Sequence, residues 1–267
     1  MTPTLEILVP AGAQAGRLNQ TVASLVAQTD RRFSVLLGEN AGRAGLEEAA
    51  DAEKQLAEVG IMVRRLARSN DSTRIEHWNG LHAHARADWL KPLVCGDTVK
   101  PGYIAALLRR LEERPAARLV RCDVEVLTQW GLETVRAPFD EPSVSPAEFA
   151  DYFPARVDWI CRSANVAYSR TSWSMTGGYC NQLPGFTSLN LNVTLALHHG
   201  LENLAAPLAS VESRDLLPGN ECEGDRVNFA AELWLILRQA RNYCVAANVP
   251  WRGGVWSRAA TAWLGRW

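Results

Sequence analysis

The sequence has no long apolar run, no excess of either charge and no paired cysteines, and each absence removes a class of protein. No uninterrupted apolar stretch approaches the ~20 residues that span a bilayer, so a membrane-spanning helix is not expected. Lys and Arg number 28 against 29 Asp and Glu, a net charge of −1, which argues against nucleic acid as the main partner. Six cysteines, Cys95, Cys122, Cys161, Cys180, Cys222 and Cys244, lie far apart without a Cys-x-x-Cys spacing, so neither a zinc site nor a redox motif is suggested. Their even number permits disulfides, but buried free thiols in a cytoplasmic chain are the expectation. The first residues lack a basic region followed by an apolar core, so no signal peptide is expected. There is also no internal repeat, low-complexity tract or clean linker. A chain of 267 residues that is 47% hydrophobic therefore reads as one elaborated domain with a substantial core.

Residues 5–10 form a short apolar run closed by Pro10, the pattern of a buried strand. Ala11 to Gly16 is a loop of small residues. Leu18, Val22, Leu25 and Val26 then recur at helical spacing over 17–28. A second strand at 33–37 ends in Gly38-Glu39-Asn40-Ala41-Gly42, a helix follows at 45–59, and a third strand at 61–66. A helix at 74–86 leads into a strand at 89–94 and then Cys95-Gly96-Asp97-Thr98. A helix at 101–113 precedes a strand at 118–124. Pro138, Pro142, Pro146 and Pro154 mark an irregular stretch from 129 to 160. A strand at 166–168, a turn at Gly177-Gly178-Tyr179 and helices at 188–199 and 225–243 follow. Strands alternating with helices predict an α/β fold with a mostly parallel central sheet flanked by helices. Such sheets bind ligands beyond the carboxyl ends of their strands, which points to 10–13, with Pro10 and Ala11, and to 38–42.

These residues bring a resemblance into view. The chain resembles the family 2 glycosyltransferases, inverting enzymes with the GT-A fold. The resemblance rests on Val9-Pro10, on Ser24-Leu25-Val26-Ala27-Gln28-Thr29, on Glu39-Asn40-Ala41-Gly42, on Asn79 ahead of Asp97, on Pro101, and on Ala164 to Tyr168 followed by Trp173 and Gly177-Gly178-Tyr179. It implies a nucleotide-sugar-binding domain, with a nucleotide-binding half at 1–125, an acceptor-side half at 126–245 and a Trp/Arg-rich extension at 246–267.

The same resemblance implies roles. Pro10, Ala11, Glu39, Asn40, Arg74 and Asp97 fall at its nucleotide-binding positions. A carboxylate such as Glu39 can accept hydrogen bonds from a base N–H or a ribose hydroxyl, and the alternative is a solvated loop glutamate. Arg74 suits a phosphate or a base face, or is an ordinary surface arginine. Asp97 is the one acid left of a motif that commonly has two or three, and it is the candidate ligand for Mg²⁺ or Mn²⁺; otherwise it caps a loop. Gly177, Gly178, Tyr179 and Arg214 are acceptor-side candidates. The general base is unassigned, because the chain has no acid between Tyr179 and Leu201. Asp158, Glu212, Asp215, His198 and His199 remain candidates for it. His82 and His84, two residues apart, fall on different faces of a helix and are not read as a metal pair.

Trp251, Trp256, Trp263 and Trp267 alternate with Arg252, Arg258 and Arg266 at the end of the chain. This composition suits a peripheral membrane contact or a terminal helix packed on its own domain. The expectation is transfer of a sugar, UDP-linked as is commonest in the family, to a glycan or lipid-linked acceptor. The alternatives are a catalytically silent GT-A-like module that binds glycans, and a nucleotidyltransferase.

Overall fold

The computed structural model describes residues 3–11, 16–39, 43–67, 73–128, 130–153, 160, 162–183, 186–212 and 229–248. In its first half, strands and helices alternate. Strands β1 (Leu5–Pro10), β2 (Ser34–Glu39), β3 (Met62–Ala67) and β4 (Trp89–Pro92) are separated by helices α1 (Arg17–Val26), α2 (Arg43–Glu58) and α3 (Arg74–His84). β1 pairs in parallel with both β2 and β4, and β2 with β3. Parallel strands covered on both faces read as continuous apolar runs. Leu5, Ile7, Leu8 and Val9 of β1 accordingly lie buried, against Leu18, Val22 and Leu25 of α1 on one side. The start of α3 is fixed by a capping box, in which the Thr73 hydroxyl accepts from the Glu76 amide while the Glu76 carboxylate accepts from the Thr73 amide.

The second half mixes directions. It contains β5 (Thr98–Val99), α4 (Tyr103–Glu113), β6 (Leu119–Thr128), β7 (Gly131–Val135), β8 (Ser143–Val144) and α5 (Pro146–Tyr152). A 3-10 turn at Ser163–Asn165 leads into β9 (Val166–Ser169), then α6 (Arg170–Thr176), α7 (Thr187–His199), β10 (Leu201–Glu212) and α8 (Phe229–Ala246). All strands join one sheet in the order β3-β2-β1-β4-β9-β6-β10-β5, with β7 on β6 and β8 on β10. β9 runs antiparallel to β4 and β6, whereas β10 runs parallel to β6. The fold is thus the expected α/β sheet flanked by helices, with every antiparallel pairing involving a strand of its second half.

Four strands and two helices depart from the sequence reading, among them the short β5 and α6. The stretch from 129 to 160 holds β7, β8 and α5, and β10 was not foreseen at all. Its sequence, Leu-Glu-Asn-Leu-Ala-Ala-Pro-Leu-Ala-Ser-Val-Glu, contains a proline and three alanines, which disfavour a strand. The register shifts between Leu204 and Pro207 and again between Pro207 and Ala209. This irregularity admits the proline, which has no N–H to donate to a ladder.

The second half also buries charge. Arg121 of β6 is fully buried; its guanidinium donates to Asp123 at 2.9 Å and to the Asn203 carbonyl oxygen at 3.0 Å. Cys95, Cys122, Cys180 and Cys244 are free thiols, and burial pushes Cys122 up to about 11. Among the described residues no helix is long and apolar enough to cross a membrane.

Candidate functional site

The chain runs outward from β1 to β2 and β3, then returns to place β4 on the other side of β1. Sheets of this topology carry their ligand crevice beyond the carboxyl ends of the strands where strand order reverses, here β1 and β4. Pro10 and Ala11 form one wall. The Ala11 amide donates to the Gly38 carbonyl at 2.6 Å, and the Cys95 thiol donates to the Pro10 carbonyl at 2.8 Å. The ends of β1 and β2 and the segment after β4 are thus tied to one another.

Glu39 closes β2 at this edge and is buried. Its carboxylate accepts from Arg65 Nε, and Arg65 Nη1 also reaches Glu53 at 3.3 Å. Burial alone would lower the Arg65 pKa, but its hydrogen bonds and charge contacts with Glu39 and Glu53 outweigh that and raise it. The role of Arg65 in orienting Glu39 was missed in the sequence, where it reads as an ordinary strand residue. So was that of His77. A Cβ on Gly38 would lie 2.3 Å from His77 Nε2, so the imidazole packs directly on bare backbone beside Glu39.

Asp97 is buried, and α1 holds its loop in place. The Thr21 hydroxyl accepts from the Gly96 amide at 2.9 Å and donates to the Asp97 carbonyl at 2.8 Å. Gln28 donates to the Lys100 carbonyl at 2.9 Å and accepts from the Ile104 amide at 3.1 Å, while the Thr29 amide donates to the Pro101 carbonyl at 2.9 Å. The Ser-Leu-x-x-Gln-Thr element therefore acts at a distance: its polar side chains clamp residues 99–104 to the first helix. Gly96 adopts φ +98°, and a Cβ there would meet Arg17 Nε at 2.6 Å. The Arg17 guanidinium thus lies over the loop that carries Asp97, another cation that sequence reasoning passed over.

Among the described residues, no group of three His, Cys, Asp or Glu side chains could enclose a metal ion. Asp97 fits a hard cation in one way: as the single protein carboxylate, the remaining positions coming from donor phosphates and water.

Arg74 is the first residue of α3, and its charge bears on the Tyr179 phenol. Gly177 and Gly178, both at positive φ, form the turn after α6. Asn79 grips that turn from both sides, accepting from the Tyr179 amide at 2.9 Å and donating to the Tyr179 carbonyl at 3.0 Å. A Cβ on Gly178 would fall 2.7 Å from Asn79 Oδ1 and 2.9 Å from the Trp173 ring. Asn79 and the glycine turn, remote in sequence, are one structural unit. Behind it lies a cavity of about 450 Å³, lined by Gly177, Gly178, Asn190, Thr194 and His198, with α8 supplying Tyr243. The His198 and Tyr243 rings lie 4.4 Å apart. His199 is exposed, and local desolvation with the charges of His198 and Arg118 lowers its pKa.

The structure gathers Pro10, Ala11, Glu39 and Asp97 at one sheet edge, and Arg74, Gly177, Gly178 and Tyr179 around Asn79. His82 and His84 part company as expected: His82 is buried, whereas His84 is exposed and bonded to the Gly80 carbonyl at 2.8 Å. Asn40, Arg214, Asp158, Asp215, the side chain of Glu212 and residues 249–267 of the Trp/Arg-rich extension at 246–267 lie outside the described residues.

No protein-family model and no curated protein sequence matches the chain. Solved structures do. S. aureus TarS is similar with a TM-score of 0.66 at 11% identity, over 88% of this chain and 39% of that one. TarS 1-349 in complex with UDP-GlcNAc is similar with a TM-score of 0.67 at 10% identity, over 98% of this chain and 72% of that one. The mannosyltransferase PcManGT from Pyrobaculum calidifontis, in complex with GDP-Man and Mn²⁺, gives 0.56 at 13% identity over 98% of this chain and 69% of that one. The chain thus spans well under half of the first of these TarS chains. At these identities the likeness is one of architecture: the protein has the GT-A type of α/β fold.

Proposed function

We propose that the protein transfers a sugar from a nucleotide-sugar, UDP-linked, to a glycan or lipid-linked acceptor with inversion, in the manner of the family 2 glycosyltransferases. The observation that carries this reading is the convergence of Pro10, Ala11, Glu39 and Asp97 at the β1–β4 crevice of a GT-A fold. The solved structures of that fold with UDP-GlcNAc and with GDP-Man and Mn²⁺ support it. Residues 1–125 bind the donor and 126–245 face the acceptor.

Glu39, held by Arg65, accepts hydrogen bonds from the nucleoside. Arg17 and Arg74 offer guanidinium groups to the diphosphate. Asp97 holds Mg²⁺ or Mn²⁺, which supplies charge neutralisation to the departing diphosphate. The acceptor hydroxyl approaches from the side of the Gly177-Gly178-Tyr179 turn. A second reading, a silent module that binds glycans without turnover, is favoured by one observation: the absence of any carboxylate between Tyr179 and Leu201.

Thermal-shift titration with UDP, GDP, CDP and dTDP, each with and without Mn²⁺, separates the two readings. The transferase reading expects a metal-dependent stabilisation by one nucleotide that Asp97→Ala abolishes. Thr21 grips only the Asp97 backbone carbonyl, so the variant keeps that anchor of the loop. Stabilisation by no nucleotide would sink the transferase and leave the silent module.

A further inference from the structure

The cavity of about 450 Å³ between α7 and α8 has no part in the donor site: none of Pro10, Ala11, Glu39 or Asp97 lines it. Packed helices ordinarily leave no void larger than a water molecule. Here the chain supplies too little side chain to fill the gap. The end wall is the Gly177-Gly178 turn, and a Cβ on Gly177 would meet nothing within 4 Å. On α8, Ala240 faces the gap between the longer Ile236 and Tyr243. Asn190, Thr194 and His198 recur every four residues, so they form one line along α7 and face α8 across the opening.

A gap left by imperfect packing is apolar and dry, and this one is neither. Asn190 and Thr194 of α7 and Gln239 and Tyr243 of α8 all line it. Among the described residues, the amides and hydroxyls of these four side chains make no hydrogen bond. A ligand that replaces water beside them must return the hydrogen bonds that the water made. The floor is apolar, because Val193, Leu197, Ile236 and Ala240 are buried. The rim reaches solvent at His198 and Gln239. The His198 and Tyr243 rings, tilted and 4.4 Å apart, make an aromatic corner.

Among the described residues, no Asp, Glu, Lys or Arg lines the cavity. A phosphate, carboxylate or ammonium group would therefore lose its water and gain no counter-charge. A neutral ring with a C–H face and a hydroxyl edge fits every wall. Its face covers the apolar floor and the aromatic corner. Its hydroxyls both donate and accept, as the amides of Asn190 and Gln239 do. The volume falls within the roughly 300–1,000 Å³ of small-ligand sites.

We propose that this cavity binds a neutral pyranose unit of a glycan, apart from the donor crevice. The site serves either reading of the function. Beside a transferase it holds a glycan chain against the Gly177-Gly178 turn; in a silent module it is the working site. A nucleotide-sugar is not its ligand, because the diphosphate would find no lysine or arginine in the lining.

Cys180 makes the site testable. It lines the cavity and is half-buried, whereas the free thiols Cys95, Cys122 and Cys244 are buried. Alkylation of the full chain by iodoacetamide, followed by mass spectrometry of the Cys180 peptide, reports whether the cavity is filled. The probes are the methyl pyranosides of glucose, galactose and mannose, and N-acetylglucosamine. At least one should slow Cys180 alkylation about tenfold when present at about ten times its dissociation constant. Uridine and the open-chain polyol mannitol should not. The double variant Asn190→Ala, Gln239→Ala should lose the protection at an unchanged melting temperature, since neither amide bonds another described residue. Ala240→Met, which fills the cavity, should lose it too and replaces the double variant if that fails to fold. Asp97→Ala should keep it. No protection by any of the four sugars overturns the site, as does equal protection by mannitol or uridine, or protection that survives in these cavity variants. Loss of protection in Asp97→Ala also overturns it, by assigning the sugar to the donor crevice. Protection by a sugar in a protein that no nucleotide stabilises overturns the transferase reading alone.

Discussion

The two halves of the sheet handle polar groups in opposite ways. On the donor side, charged groups gather at strand ends: Glu39 with Arg65, and Asp97 near Arg17. They are held by short ties to neighbouring loops and open onto a crevice. On the acceptor side, polar groups run into the interior as connected strings, from Tyr179 through Tyr168 to His82 and from Arg121 to Asn203 and Asp123. Glu39 and Asp97 are buried, but the arginines beside them reach solvent, so water can replace a lost partner there, whereas it cannot inside a buried string. The donor side should tolerate substitution and lose function. The acceptor side should lose stability first.

The sharpest way to break that contrast is Lys91→Met. It leaves three buried carbonyls without their donor, and a loss of about 3 kcal/mol or more is expected in urea unfolding. A small change would mean the interior string is not tightly coupled. Acid is the next probe. His82 titrates near 4 in the folded protein because burial disfavours its charge, against an ordinary value of 6.5. The unfolded state therefore binds the extra proton first as pH falls, and stability present above pH 6.5 is lost toward pH 4. His82 alone accounts for about 3 kcal/mol of that loss, and the slope over this window should flatten in His82→Gln.

A matched pair of glycine variants sharpens the comparison further. Gly178→Ala must place a Cβ against both Asn79 and the Trp173 ring at φ +84°, with little room to yield. Gly96→Ala meets only the movable end of Arg17 at φ +98°. Costs of about 3 kcal/mol and about 1 kcal/mol, respectively, are expected from thermal melts. The smallest effect should come from Glu53→Ala, which removes a partly exposed partner 3.3 Å from Arg65. It should change stability by less than about 0.5 kcal/mol and leave nucleotide binding intact. A marked loss of binding would show that Glu53 helps Arg65 aim Glu39.

What could be read in advance follows the same division. β1, β2 and β4 announce themselves by apolar runs, and the residues that close them, Pro10, Glu39 and the loop to Asp97, are placed by local order alone. The acceptor side depends on contacts between residues far apart in the chain. Asn79 reaches Tyr179 and His82 reaches Tyr168, and neither pairing leaves a trace in periodicity. Arg65 and His77 were missed for a related reason: each is ordinary in its own element and gains meaning only from the neighbouring strand it touches. β10 escaped because its alanines and Pro207 speak against a strand, while its position between two partners overrules them.

That same strand sets the order in which the protein can be completed. β10 pairs along β6 from Val120 to Leu127 on one flank, while β9 and β7 occupy the other. A nascent chain that has emerged only through α7 can assemble β3, β2, β1 and β4, yet it presents an unpaired β6 to its surroundings. An unpaired apolar edge recruits other chains. The interval between the emergence of α7 and the completion of β10 is therefore the one in which this protein depends most on protection from its neighbours.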